Sequence, residues 1–314
     1  MGSNVFLNEL SRLTGACDLT RTRQWQFVPY DQLNVRFGLL HTQCPDDVGI
    51  ILCETSWKPE QRPYHKQKLA LLLSAQRHFA IEQARRGVHV RYVFDTRSYD
   101  HILRELAAEL GPLLVCRPAE RELRSQLSDL LQDGTLSEIE HSGWFTTTND
   151  FQMAFRGKTT WLMDTFYRFV RKKYDVLLDE SGKPIGGKWS HDADNRKPWK
   201  GTPKAPTPPE FEVHPITQEV CDLVNRKFAD HPGQVKPNRI AATLDQVNRY
   251  WSWVLHECMT HFGPYEDAMH TDSRQLFHTR ISGLLNLHRL MPSRVVNDVV
   301  QLNIPINSKE GFVR

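Results

Sequence analysis

Apolar and polar positions change rhythm along the chain, and the rhythm predicts the elements. From Trp25, WQFVPY reads as a strand. VGIILC (48–53) is a stronger one, apolar throughout and therefore central in a sheet. HKQKLALLLSAQRHFAIEQARR then shifts to helical spacing, with Leu69, Leu72, Leu73, Phe79 and Ala80 on one face and Arg85 and Arg86 before a stop at Gly87. VHVRYVF (88–94) is a strand, SYDHILRELAAEL a helix ended by Gly111-Pro112, LLVCR (113–117) a strand, and RPAERELRSQLSDLLQ a helix. Strand and helix alternate at the spacing of a parallel sheet covered on both faces. Residues 1–24 read as an N-terminal extension, one frayed helix at most.

Beyond residue 145 the alternation stops. The tract 158–178 predicts a long amphipathic helix, with Leu162, Phe166, Phe169 and Val170 on a broad face. Nine of the 18 prolines then fall between Pro184 and Pro237, the mark of a connector. Residues 243–262, 276–290 and 292–302 read as helices without a strand between them. The chain is thus α/β first and all-α afterwards, with divisions at 1–24, 25–150, 151–237 and 238–314.

Composition narrows the classes. Among 314 residues, 40 Lys+Arg against 37 Asp+Glu leave a net charge of +3, too mild for a chain that coats nucleic acid by charge alone. No run approaches the ~18 apolar residues of a membrane span. The first residues lack a basic-then-apolar leader pattern, so the expected setting is cytoplasmic. Six cysteines are scattered with no CxxC pair, which gives no zinc ribbon or clustered iron–sulfur motif. No GxGxxG and no GxxxxGK[ST] occurs.

Four constellations carry candidate chemistry. Tyr30-Asp31-Gln32-Leu33-Asn34 follows the first strand, where open α/β sheets place ligands, although a polar turn there is ordinary. In Gly186–Lys197, the residues His191, Asp192 and Asp194 are candidate metal ligands. Their consecutive loop spacing suits a metal poorly, and the alternative is a structural loop pinned by Trp189 and Arg196. Arg168, Arg171, Lys172 and Lys173 form either a solvated face or a phosphate-contacting one. Thr279 and Ser282 stand three apart on a first helical turn, which is a phosphate site or a plain cap.

Taken together, the segments resemble the photolyase/cryptochrome superfamily. The narrower similarity is to its bacterial iron–sulfur branch, the deoxyribodipyrimidine photolyase-related proteins that include prokaryotic (6-4) photolyases. The resemblance is carried by Asp31-Gln32-Leu33; Cys53-Glu54; His65-Lys66-Gln67-Lys68; Ser74-Ala75-Gln76-Arg77-His78-Phe79; and Phe166-Tyr167-Arg168 with Arg171-Lys172-Lys173. It continues in Gly186-Gly187-Lys188-Trp189 with Asp194-Asn195-Arg196, in Phe262-Gly263, in Asp267-Ala268-Met269, and in Thr279-Arg280-Ile281-Ser282 with Leu285-Asn286. These run in family order from about residue 25 to the end.

The resemblance implies an α/β antenna domain with a Rossmann-like parallel sheet, a connector, and the N-terminal part of a helical FAD-binding domain. It implies FAD contacts at Tyr265, Thr279, Arg280, Ser282 and Asn286, a ribityllumazine antenna near Asp31 and Gln32, and DNA contacts at Arg171, Lys172 and Lys173. The implied activity is light-driven repair of pyrimidine lesions in damaged DNA, or blue-light sensing. The alternative is a non-catalytic paralogue that binds a small ligand or partner; a metal-dependent hydrolase built on the His191–Asp194 loop is a third reading. Several positions depart from the family pattern. Tyr30 stands where the family usually has Gly, Lys58 where an acidic antenna contact is expected, and His278 where the first hydroxyl of the phosphate segment falls. The family segment at Asn307–Arg314 normally continues into parts that carry the rest of the FAD cavity, the active-site histidine and the 4Fe-4S ligands. That suggests a truncated chain.

Overall fold

The computed structural model describes residues 4–15 and 23–314. The chain forms two compact units, each assembled from separated stretches. The first comprises Met1–Gly143, Glu210–Val247 and Ser282–Leu290; the second comprises Trp144–Pro209, Asn248–Ile281 and Met291–Arg314. Contiguous divisions drawn from composition do not anticipate this interleaving.

In the first unit, β1 (Gln24–Phe27), β2 (Val48–Thr55), β3 (His89–Asp95), β4 (Leu113–Cys116) and β5 (Leu136–Ile139) make one sheet in the order β3-β2-β1-β4-β5. All neighbours are parallel. The predicted α/β class is what the structure shows, with β5 an addition: LSEI is too short and too polar to announce a strand. The apolar run of β2 has a direct cause. Ile50 and Leu52 face one core with Ala75, Phe79 and Ala80 of the helix Lys66–Arg85. Ile51 and Cys53 face the other, with Ile102, Leu103 and Leu106 of the helix Tyr99–Leu110. A strand covered on both faces cannot alternate with polar residues. Gly49 breaks the run because the Trp25 indole of β1 lies over its Cα, where a Cβ would collide.

The N-terminal stretch is more than a frayed extension. Helix Val5–Thr14 buries Phe6 at 0% exposure and Leu10 at 6% in the first core. Phe6 meets Tyr92 of β3 edge-on at 4.6 Å. The predicted helix 117–132 is two pieces, Arg121–Gln126 and Ser128–Gln132, and starts four residues later than its pattern suggests.

In the second unit the predicted long helix shortens to Met163–Lys173. The later segment Leu244–Trp253 continues through a wider turn, Val254–Cys258, into Met259–Phe262. Buried Trp251 donates its indole N–H to Asp298 (2.7 Å) in the helix Pro292–Gln301. The predicted helix 276–290 contracts to Ser282–Asn286, because Leu276, Arg280 and His288 take positive φ and interrupt helical geometry.

Candidate functional site

The first unit holds a cavity of 440 Å3 at the carboxyl ends of its strands. Small-molecule sites typically occupy roughly 300–1,000 Å3, and open parallel sheets bind ligands at this end. The strand exits supply Tyr30, Cys53, Glu54, Ser56, Asp95 and Glu120. The helix Lys66–Arg85 supplies Lys68, Leu69, Leu72, Leu73, Gln76 and Arg77, one stripe at helical spacing. A second stripe, Glu219, Leu223, Arg226 and Lys227, comes from the helix Pro215–Lys227. Asn4 and Leu7 of the N-terminal segment complete the wall.

The deep polar groups of this cavity are paired among themselves. Arg77 is 4% exposed and reaches Glu54 through two hydrogen bonds (Nε–Oε2 2.8 Å, Nη2–Oε1 2.7 Å) and Glu219 through a third (2.8 Å). Tyr92 donates its hydroxyl to the same Glu54 at 2.8 Å. The Phe6 N–H donates to Glu219 at 3.3 Å, and both Phe6 and Phe94 lie 5.3 Å from the Arg77 guanidinium. On another wall, Glu120 accepts from Tyr30 (2.5 Å) and pairs with Lys58, which also reaches Glu122 at 3.0 Å. Gln76 donates to the carbonyl of Cys53 at 3.0 Å. Burial pushes the Cys53 thiol up to about 12, so it meets the cavity as a neutral, apolar surface.

Asp31 and Gln32, the residues marked for an antenna, stand behind this wall instead of lining it. Gln32 is fully buried and donates to the carbonyls of Cys116 and Arg117 at 3.1 and 3.3 Å. Asp31 is 7% exposed; burial pushes its carboxyl up to about 6, against the pull of the backbone N–H groups of Asp31 and Ala119. Its carbonyl accepts from His288, while Leu33 donates to the carbonyl of Leu287 (3.0 Å) and Asn34 to that of His288 (2.9 Å). These residues clip the 282–290 stretch onto the first strand exit. Tyr30, where the family usually has Gly, is the one that faces the cavity. The helix Pro215–Lys227 and the N-terminal segment were missed by sequence reasoning. The 219/223/226/227 spacing was a readable stripe; nothing in residues 4–7 signals a wall.

The basic helix divides by role. Arg171 is 1% exposed and spends its guanidinium on three carbonyls, Val176 (3.0 Å), Leu177 (2.6 Å) and Trp189 (3.2 Å). A fully buried guanidinium committed in this way corrects the placing of Arg171 on an exposed, phosphate-contacting face. Lys173 is tied to buried Asp150, which also accepts from Tyr174 at 2.7 Å. Lys172 is exposed, with its ammonium 5.6 Å from the Trp189 ring.

The Gly186–Lys197 loop is held at Trp189, whose carbonyl accepts from Arg171 and whose ring lies 5.1 Å from the same guanidinium, and also through Asn195 and His191. Asn195 donates to Glu266 and to the carbonyl of Asn307, both at 3.1 Å, and the His191 N–H donates to Glu310 at 2.7 Å. The candidate ligands are engaged with one another and with neighbouring cations: Asp192 pairs with Arg196, and Asp194 with Lys188 (3.3 Å) and with the His191 ring (3.1 Å). Among the described residues, no three or more His, Cys, Asp or Glu side chains gather as a metal set; Cys17 lies outside those residues. No helix among them is long and apolar enough to cross a membrane.

Of the five residues marked for FAD, Tyr265, Thr279 and Arg280 belong to the second unit, and Ser282 and Asn286 to the first. Tyr265 stacks on Phe277 (centroids 5.3 Å, planes 24° apart) and donates to the Thr202 carbonyl at 3.3 Å. Thr279 is buried; Arg280, Ser282 and Asn286 are exposed.

A five-stranded parallel sheet with its cavity at the strand exits, accompanied by helical segments, defines an α/β protein with a helical remainder. Over residues 26–240 the chain matches the model for the deoxyribodipyrimidine photo-lyase-related proteins, and it belongs to that family. It is also 29% identical over 297 residues to a (6-4) photolyase of Agrobacterium fabrum, a match that covers 90% of this chain and 58% of the relative. The chain therefore spans little more than half of that relative's length.

Proposed function

We propose that this chain serves a flavin-dependent, light-driven photolyase acting on DNA lesions of the (6-4) kind, and that its α/β unit holds an antenna-type small chromophore. The observation that carries the reading is the cavity at the carboxyl ends of the strands, in a chain of photolyase-related ancestry. Its walls of Leu69, Leu72, Leu73, Tyr64, Tyr99 and Phe228 suit a flat ring such as a ribityllumazine.

For FAD the support is the chemistry of the short segment Thr279–Ser282: two hydroxyls and a guanidinium within four consecutive residues are hydrogen-bond donors suited to a diphosphate. When bound, an excited reduced flavin supplies an electron to a pyrimidine lesion turned out of the duplex. The part left to this chain is to hold the diphosphate and to offer Lys172 to the DNA backbone.

The test is optical and quantitative. The purified chain is titrated with FAD and scanned for a bound flavin band. Ser282→Ala should weaken binding roughly tenfold, since a hydrogen bond to a charged group is worth about 1.5–3 kcal/mol. Ser190→Ala should change it little. No bound flavin, or equal loss from the two substitutions, would count against the flavin reading.

A further inference from the structure

We propose that the exposed ledge Trp161-Leu162-Met163 in the second unit is where unpaired bases of a DNA strand stack, so that this chain tells locally opened DNA from intact duplex. This rests on the reading that the chain acts on DNA. The three residues are consecutive, and 66%, 59% and 76% of their surfaces stay exposed. Single apolar side chains are scattered over any protein surface, but three large ones side by side in water mark a place where a partner sits.

The ledge stands on a packed base. It lies where the helix Thr148–Ala154 connects to the helix Met163–Lys173. Rings join these two helices: Phe151 is 4.8 Å from Phe155 and 5.6 Å from Phe166, and Phe155 stacks on Phe166 at 6.3 Å. Trp161 meets Phe151 at 5.5 Å with the planes 76° apart. That contact orients the indole while most of it remains in solvent, which is the arrangement a stacking platform needs.

The charge around the ledge selects an anionic partner. Arg156 and Lys158, just before Trp161, are exposed and make no ion pair among the described residues. The two acids between residues 150 and 173 are already engaged: Asp164 holds Arg168 at 2.9 Å, and buried Asp150 holds Lys173. A neutral apolar partner would leave both cations without counter-charge. A nucleic acid supplies phosphates to them and flat bases to the indole. In an intact duplex the bases stack on one another and offer no face, so only an opened strand can use the ledge.

Two probes separate the ledge from DNA binding at large: a fluorescein-labelled short duplex, and the same duplex with a central run of thymine–thymine mismatches. Anisotropy titration of the chain at low salt should show the mismatched duplex bound roughly tenfold tighter, the scale of a base stacked on an aromatic ring. Trp161→Ala should bring it down to the level of the intact duplex and leave intact-duplex binding and thermal stability unchanged. Trp161→Phe should keep most of the preference. The double variant Arg156→Ala, Lys158→Ala should weaken both duplexes alike and lower the salt slope by about two. Equal binding of the two duplexes by the parent chain would overturn the ledge while leaving the DNA reading standing. Binding of neither would overturn both. A Trp161→Ala variant that keeps the preference would place the opened bases elsewhere and overturn the inference. Pelleting of the chain with phosphatidylserine vesicles, lost in Trp161→Ala and without any preference between the duplexes, would assign the ledge to a lipid surface instead.

Discussion

Arg77 and Glu54 form a two-pronged ion pair beneath the cavity floor, at 2.8 and 2.7 Å, with less than a tenth of either residue exposed. Twenty-three residues separate them in sequence. Glu54 is the last residue but one of β2 and Arg77 lies on the helix Lys66–Arg85, so the pair ties an interior strand to its covering helix at the point where the cavity opens. Tyr92 and Glu219 complete the coordination of the two groups.

Removing one partner of such a pair leaves a buried charge unmet. Arg77→Ala should destabilise the chain by about 3–5 kcal/mol. Urea denaturation followed by tryptophan fluorescence would read it, and a loss below about 1 kcal/mol would show that the pair is not desolvated as described.

Phe6 tests whether the N-terminal helix belongs to the α/β core. Its ring is fully buried against Tyr92 and Phe94. Truncating a buried aromatic costs about 3–5 kcal/mol, so Phe6→Ala should lower the denaturation midpoint and expose the first residues to protease. A variant as stable and as resistant as the parent would return residues 4–15 to the status of an appendage.

Asp31 gives a pH dependence with a definite sign. Unfolded, an aspartate ionises near ~4; folded, burial moves it up to about 6. The folded state therefore holds the proton more tightly. The stabilisation from the neutral carboxyl is complete below about pH 4 and is lost as the pH rises through about 6, a change of about 2–3 kcal/mol. Asp31→Asn should flatten the stability profile across that window and gain stability at pH 8. Parallel profiles for the two proteins would contradict the buried, protonated carboxyl.

Arg171 and Lys172 are adjacent but should behave oppositely. Arg171→Ala strands two buried carbonyls and a part-buried one and should destabilise the second unit by about 2–4 kcal/mol. Lys172→Ala should leave stability within about 0.5 kcal/mol. If the chain binds duplex DNA, Lys172→Ala should reduce the salt slope of binding by about one. A stable Arg171→Ala variant with lost DNA affinity would restore the reading of Arg171 as a phosphate contact.

The sequence by itself determined β1 to β4 of the parallel sheet and the helices between them, since an unbroken apolar run such as β2 and a 3.6 period such as that of Lys66–Arg85 are local signals that burial imposes. It also determined the family, because motifs such as Cys53-Glu54 and Gly186–Lys197 are read in order along the chain. It did not determine which side chains meet. Arg171 and Lys172 look alike in a basic run, yet one is enclosed by the carbonyls of Val176, Leu177 and Trp189 and the other faces water. Tyr30, not Asp31 beside it, faces the cavity. Residues 4–7 carry no motif and still form one of its walls. Such outcomes depend on contacts between residues far apart in the chain, where burial and pairing are settled by packing and no local spacing records them.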